Sequence, residues 1–189
     1  MKVGKPFPHF SLTATTSNHP DTAFIDITER SHPGQWVVYF FWPKDFTFVC
    51  PTELKAFNDM HEEFLDRDAT LVGGSIDSEF VHLAWRQHHP DLQDLKYPML
   101  ADIKRELGTA LDILDESGVM QRATLIVDPQ NIIRFSMITD MNVGRNPKEV
   151  LRVLDALQTD ELCPCNWQKG ETTLSQAQNT PTEKEGVLA

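Results

Sequence analysis

Two hydrophobic periods alternate along the chain. Residues 36–41, Trp-Val-Val-Tyr-Phe-Phe, form an unbroken apolar run between Gly34 and Pro43, the pattern of a strand buried on both faces. After Pro51 the spacing changes: Leu54, Phe57, His61 and Phe64 recur at steps of three and four, which predicts one amphipathic helix. Residues 70–75 predict a second buried strand. Asp77 and Ser78 are helix caps for a segment running to His88, with Phe80, Leu83 and Ala84 facing inward and Pro90 ending it. Asp102 is placed to cap a short helix through Leu107. Residues 123–127 and 132–138 read as strands around an Asp-Pro-Gln-Asn turn, so they must form a hairpin. Asn146-Pro147-Lys148-Glu149 opens a further helix, with Val150, Leu151, Leu154 and Leu157 as its apolar face. Early parallel crossovers and a late hairpin predict an α/β fold, a mixed central sheet with helices on both faces in three layers. From Gly170 the chain turns polar, so residues 170–189 read as a mobile tail on a domain spanning 1–169.

Composition narrows the function. The 189 residues carry a formal charge of −11, which opposes binding to nucleic acid. The longest apolar runs fall far short of the roughly 20 residues of a membrane span, and the N-terminus lacks a signal-peptide core, so a cytoplasmic protein is expected. Three cysteines are too few for a disulfide framework and point to chemistry or metal binding instead. His82, His88 and His89 do not follow the spacing of a helical metal pair, and the histidines read as solvent-facing. Trp85 suits either a core or a site position.

Cys50 follows the first buried strand and lies in the first turn of the next helix. Unpaired N–H groups and the helix dipole there favour a thiolate, the nucleophilic form. Pro51 suits a first-turn position. A dithiol reductase would need C-x-x-C, but the chain has Cys50-Pro51-Thr52-Glu53. Any thiol that resolves an oxidised Cys50 must come from elsewhere, and Cys163-Pro164-Cys165 supplies two candidates. As half of a zinc site, C-P-C lacks a second Cys/His pair nearby.

Pro43-Lys44-Asp45-Phe46-Thr47-Phe48-Val49-Cys50 matches the P-x-x-x-T-x-x-C motif of peroxiredoxins, and Pro51-Thr52-Glu53 extends it. The similarity continues through Ser75-Ile76-Asp77-Ser78, Trp85, Pro98-Met99-Leu100-Ala101-Asp102, Arg122-Ala123-Thr124, Val143-Gly144-Arg145 and Glu161-Leu162-Cys163-Pro164. It covers roughly residues 4 to 170 in order. The chain resembles the typical 2-Cys peroxiredoxins, within them the alkyl hydroperoxide reductase C group. The resemblance implies a thioredoxin-like fold with an N-terminal extension. It also implies a thiol peroxidase that reduces hydrogen peroxide and organic hydroperoxides.

The resemblance implies roles for particular residues. Cys50 attacks the peroxide and becomes a sulfenic acid. Thr47 bonds the peroxide, Pro43 shields the sulfur from water, and Arg122 bonds thiolate and peroxide. Glu53 and Arg145 orient Arg122. Cys163 takes the position of the resolving thiol from the other subunit of a homodimer, while Cys165 belongs to a smaller C-x-C subset and is a second resolving or relay thiol. Which of the two reacts first stays open. No metal, haem or flavin cofactor is required, because sulfur carries the redox change. Electrons must come from a protein partner: thioredoxin, a flavoprotein disulfide reductase or a small dedicated disulfide reductase. Dimers of such relatives often close into rings of five or six. A protein disulfide reductant and a holdase are the rival classes.

Overall fold

The computed structural model describes residues 2–179. Two compact units emerge, residues 1–147 and 148–189.

The first unit is built on a seven-stranded mixed sheet. Its strands are β1 (Ser11–Thr15), β2 (Phe24–Thr28), β3 (Trp36–Phe41), β4 (Ala69–Ser75), β5 (Met99–Ala101), β6 (Arg122–Val127) and β7 (Ile133–Thr139). They lie in the order β2-β1-β5-β4-β3-β6-β7. The pairs β3–β4 and β4–β5 are parallel, and the remaining neighbours are antiparallel. The expected strands at 36–41, 70–75, 123–127 and 132–138 are therefore present within a residue at each end, and the last two form the expected hairpin. The N-terminal extension is itself a hairpin, β1–β2, added beside β5.

Alternation along β3 assigns the two faces. Val37, Tyr39 and Phe41 join a core with Val72, Leu125 and Val127, closed by Leu107 and Leu111 of helix α4 (Glu106–Leu111). On the other face, Phe40 stacks on Phe57 of helix α1 (Cys50–Asp59) with ring centroids 4.2 Å apart. Trp42, just beyond β3, meets His82 and Trp85 of helix α3 (Glu79–His88) at 5.7 and 6.3 Å. The three expected layers result.

Several local expectations need correction. The single helix expected from Leu54 to Phe64 is two, α1 and α2 (His61–Leu65), because Met60 turns out of helical geometry with φ −101° and ψ 9°. Asn58, two residues earlier, is held by the 94–96 segment. Its amide donates to the Asp94 carbonyl and its oxygen accepts from Lys96 N–H. Phe57 and Phe64 stay in contact across the break. In α3, Ser78 caps as expected, accepting from Val81 N–H. The buried stripe, however, is His82, Leu83, Trp85 and Arg86, while Phe80 is exposed and meets Phe24 edge-on. Two of those four inward residues are polar, so hydrophobicity alone misassigned the face. Asp102 does accept from the Leu107 and Gly108 N–H groups, but the helix starts at Glu106, with Arg105 at its N-cap, and runs on to Leu111.

Arg86 and Tyr97 are buried connectors that periodicity could not reveal. The Arg86 guanidinium donates to the carbonyls of Thr15, Thr16, Leu95 and Tyr97 and to the Asn18 side chain. Tyr97 in turn donates to the Leu54 carbonyl in α1 at 2.7 Å.

Helix α5 (Pro147–Gln158) begins where the Asn-Pro start signal stands, and all but its first residue belong to the second unit. Within the stretch read from sequence as tail, residues 170–179 contain helix α6 (Leu174–Asn179), and Thr173 before it is buried. The rest of that stretch, 180–189, lies outside the described residues. No helix among the described residues is long and apolar enough to cross a membrane.

Gly73 in β4 tests the packing on the α1 face. A Cβ there would stand 2.7 Å from Cζ3 of the fully buried Trp42 ring. We expect Gly73→Ala to lower unfolding free energy by about 1–3 kcal/mol, the usual cost of overpacking, measured by urea denaturation followed by tryptophan fluorescence.

Candidate active site

Cys50 is the first residue of α1 and its sulfur is fully buried. The loop that delivers it, Pro43 to Val49, leaves β3 at the carboxyl end of the parallel strands. Two donors reach the sulfur. Thr47 Oγ1 lies 2.9 Å from Sγ, and Arg122 Nη1 lies 3.3 Å from it. The Thr47 hydroxyl is also 3.1 Å from the Lys44 carbonyl, so its one proton has two competing acceptors. Pro43 is buried at the start of the loop.

Arg122 is the first residue of β6 and is itself buried. Its Nη1 carries two hydrogens, which serve two acceptors, the Cys50 sulfur and Glu53 Oε2 at 2.5 Å. Nε donates to the Met141 carbonyl, and no partner among the described residues takes the Nη2 hydrogens. Glu53 stands three residues after Cys50, one helical turn along and on the same face. Its carboxylate accepts four hydrogen bonds: Arg145 N, Nε and Nη2 at 2.9, 2.8 and 3.0 Å, and Arg122 Nη1. Burial pushes the Glu53 carboxyl up, but the two guanidiniums outweigh it and hold the group below the usual carboxylate range.

Arg145 completes the cluster. Its Nη1 reaches the Phe41 carbonyl at 2.8 Å and the Ala123 carbonyl at 2.9 Å. The β3–β6 ladder ends at Phe40 and Thr124, so these carbonyls belong to the residues just past it, and the guanidinium satisfies both. The guanidinium carbon also lies 5.8 and 6.0 Å from the Phe40 and Phe57 ring centroids. The structure thus brings Cys50, Thr47, Pro43, Glu53, Arg122 and Arg145 together in the first unit. Glu53 occupies the position where C-x-x-C would require a second thiol, and its carboxylate is fully committed to the arginines.

The sequence reading missed one part of this neighbourhood. His82 is not solvent-facing; it is completely buried, with Nδ1 2.6 Å from Asp45 Oδ2 and Nε2 3.0 Å from the Leu100 carbonyl. His88 is exposed as expected. The one available signal was Asp45 itself, an acid two residues past Pro43, where the unbroken apolar run ends.

Cys163 and Cys165 lie in the second unit. Cys163 is half-buried, with its sulfur 3.4 Å from Thr159 Oγ1, and Cys165 is exposed. Arg152 of α5 grips Glu149 through Nε and Nη2 and donates from Nη1 to the Trp167 carbonyl. The buried Trp167 closes the C-P-C turn by donating its N–H to the Pro164 carbonyl. Helix α6 is tied to the same loop by Leu174 N–H to the Leu162 carbonyl and Leu162 N–H to Ser175 Oγ. A cleft of about 470 Å³, lined by residues including Thr159, Glu161, Trp167 and Lys169, opens beside it. All three cysteines are free. No cluster of three or more metal-binding side chains occurs among the described residues.

Family comparison decides the lineage of this arrangement. Residues 3–136 match the AhpC/TSA family model. The chain belongs to the AhpC/TSA family. Residues 157–187 also match the C-terminal domain of 1-Cys peroxiredoxin. Alkyl hydroperoxide reductase C of Mycobacterium tuberculosis is 54% identical over 182 residues, covering 92% of this chain and 93% of the relative. The solved Mycobacterium tuberculosis AhpC superposes with a TM-score of 0.82 at 53% identity, covering 89% and 99% of the two chains. A reduced 2-Cys peroxiredoxin from Plasmodium vivax gives 0.85 at 32% identity, covering 91% and 92%. The fold of this AhpC/TSA member is therefore thioredoxin-like, as expected from the sequence.

The Glu53 cluster carries a pH signature. A carboxyl depressed by folding stabilises the protein above its unfolded pKa, and that stability is lost as pH falls through the lower folded value. Glu53→Gln leaves both guanidiniums without their buried counter-charge, which costs about 3–5 kcal/mol at neutral pH. We expect the gap between wild type and Glu53→Gln to shrink once pH drops below about 4.5, read from urea unfolding curves at stepped pH.

Proposed function

We infer that the protein is a thiol peroxidase that reduces hydrogen peroxide and organic hydroperoxides. The observation that carries this reading is the convergence of Thr47 Oγ1 and Arg122 Nη1 on one buried sulfur at a helix N-terminus. Such an array complements a thiolate in the ground state. It complements still better the transition state, in which charge passes from sulfur to the departing peroxide oxygen.

The Cys50 thiolate attacks one peroxide oxygen. An S–O bond forms, the O–O bond breaks, and the leaving alkoxide or hydroxide takes up a proton to give alcohol or water. The free Nη2 hydrogens of Arg122 and the Thr47 oxygen are available to the two peroxide oxygens. Pro43 limits water at the sulfur, while Glu53 and Arg145 hold Arg122. The sulfenic acid then condenses with Cys163 of the partner subunit in a homodimer, forming a disulfide and releasing water. Cys165 acts as a second resolving or relay thiol. Exposure of Cys165 and half-burial of Cys163 suit a hand-over from the inner thiol to the outer. The disulfide is returned to two thiols by a protein reductant of the thioredoxin, flavoprotein or small dedicated type. Dimers assemble into a ring of five or six in the cytoplasm. This assembly and location rest on family likeness.

Replacing each cysteine in turn tests the assignment. Cys50→Ser should abolish peroxide consumption in a stopped-flow assay, while Cys163→Ser and Cys165→Ser singly should retain part of it. One equivalent of peroxide should convert the reduced protein into a covalent dimer on a non-reducing gel. A disulfide-bonded species running only as monomer would place resolution within one chain.

Arg122 should act on the first step. Arg122→Met removes a donor to the sulfur and to the departing oxygen. It should raise the oxidation barrier by about 2–4 kcal/mol, as losses of comparable donors do. Single-turnover oxidation of Cys50, followed by tryptophan fluorescence, measures it.

A further inference from the structure

We propose that His82 is a positioning residue for peroxide reduction. Paired with Asp45, it fixes the loop that holds the Thr47 hydroxyl against Cys50. The proposal rests on the reading of Cys50 as the peroxidatic thiol and of Thr47 as its hydroxyl partner.

The geometry is a clamp of three bonds on Asp45, with a fourth that anchors its partner His82. Asp45 Oδ2 meets His82 Nδ1 at 2.6 Å, Oδ1 accepts from Trp42 Nε1 at 2.8 Å, and its backbone N–H donates to Asp77 Oδ2 at 2.8 Å. Asp77 Oδ2 is itself held by the Ser75 hydroxyl. The fourth point lies across the imidazole. Nε2 faces the Leu100 carbonyl, which only accepts, so Nε2 is the donor and Nδ1 faces the carboxylate. The clamp therefore ties the loop to the end of β3, the end of β4, α3 and β5.

That loop needs holding. Phe46, between Asp45 and Thr47, has φ +56°, a left-handed conformation that costs a bulky residue about 1–3 kcal/mol and persists only when its surroundings over-determine it. The Phe46 side chain is largely exposed and touches one ring edge, that of Trp85, so its own packing supplies little. Asp45 on its N-terminal side is buried and fully bonded. Thr47 follows directly, with its hydroxyl 2.9 Å from the sulfur. Freeing Asp45 lets Phe46 relax toward negative φ, and the rotation swings Thr47.

The electrostatics agree. Burial raises the Asp45 carboxyl, and the neighbouring Asp77 raises it further against the pull of His82. Burial lowers the His82 imidazole, but Asp45 and the Leu100 carbonyl raise it more. Trp42, Asp77, Ser75 and the Leu100 carbonyl are the polar groups bonded to this pair or, through Asp77, to its anchor.

The test separates positioning from general destabilisation by comparing two reactions of the same sulfur. Oxidation by hydrogen peroxide uses Thr47, whereas alkylation by iodoacetamide needs the thiolate but no donor to a departing peroxide oxygen. His82→Leu, which has no donor for Asp45, should slow peroxide oxidation about tenfold or more and leave alkylation within about threefold. In a Thr47→Val background it should add almost nothing, because residues acting through one group are not additive. A peroxide rate unchanged by His82→Leu would overturn the proposal. So would equal losses in both reactions, or a full additional loss on Thr47→Val. His82→Gln, whose amide stands in for Nε2 at the Leu100 carbonyl and leaves the Nδ1 position empty, runs the same comparison should His82→Leu fail to fold. Cys50→Ser that still consumes peroxide would instead overturn the underlying reading, whatever His82 does.

Discussion

The buried carboxylate of Glu53 is the interaction on which the site depends. It belongs to α1, yet it bonds arginines from β6 and from the end of the first unit, both buried with it. A lone buried charge would cost several kcal/mol. Two guanidiniums around one carboxylate leave the cluster at +1 beside the Cys50 sulfur. Removing Glu53 would not merely loosen Arg122; it would leave two buried cations facing one sulfur. The i, i+3 relation of Cys50 and Glu53 makes this possible, because one turn of helix presents both to the same guanidinium.

The opposite side of the sulfur is fixed by different means. No ion pair reaches Thr47. It is held through the backbone, by a strained Phe46 and the Asp45 clamp, so its precision depends on Trp42, His82 and Asp77 packing without gaps. Those residues lie on the Phe40 face of the sheet, the face that also seats α1. A single packed layer thus sets both donors to Cys50, one through charge and one through chain geometry. Gly73 belongs to this layer, since only the absence of a side chain lets the Trp42 ring sit beside β4.

Strands with long apolar runs were legible in the sequence. β3, β4, β6 and β7 carry five or more β-branched, aromatic or other apolar residues between turn signals, and period decides them. β5 has three residues and β2 exposes two of its five, so neither has a pattern to read. Cys50 at a helix start was legible from local chemistry. Arg122, Arg145 and Glu53 were not, because an arginine beside a strand carries no mark of what it will face; only the family resemblance assigned them. His82 was misread for a related reason. Burial of a histidine requires partners, and its partners, Asp45 and the Leu100 carbonyl, lie 37 and 18 residues away.

Division of the chemistry between two units imposes a last constraint. The residues proposed for the peroxide step lie within 43–145, and both other thiols are in the second unit. A disulfide requires sulfur atoms about 2.05 Å apart and Cβ atoms about 3.5–4.5 Å apart. The Cys50 sulfur is enclosed by α1, Thr47 and Arg122, so no second thiol can meet that geometry while the first turn of α1 stays wound. Unwinding it breaks the Thr52 and Glu53 N–H bonds to the Val49 carbonyl and pulls Glu53 against its two arginines. On the proposed function, resolution of an oxidised Cys50 must therefore work against this ion cluster as well as against the helix turn.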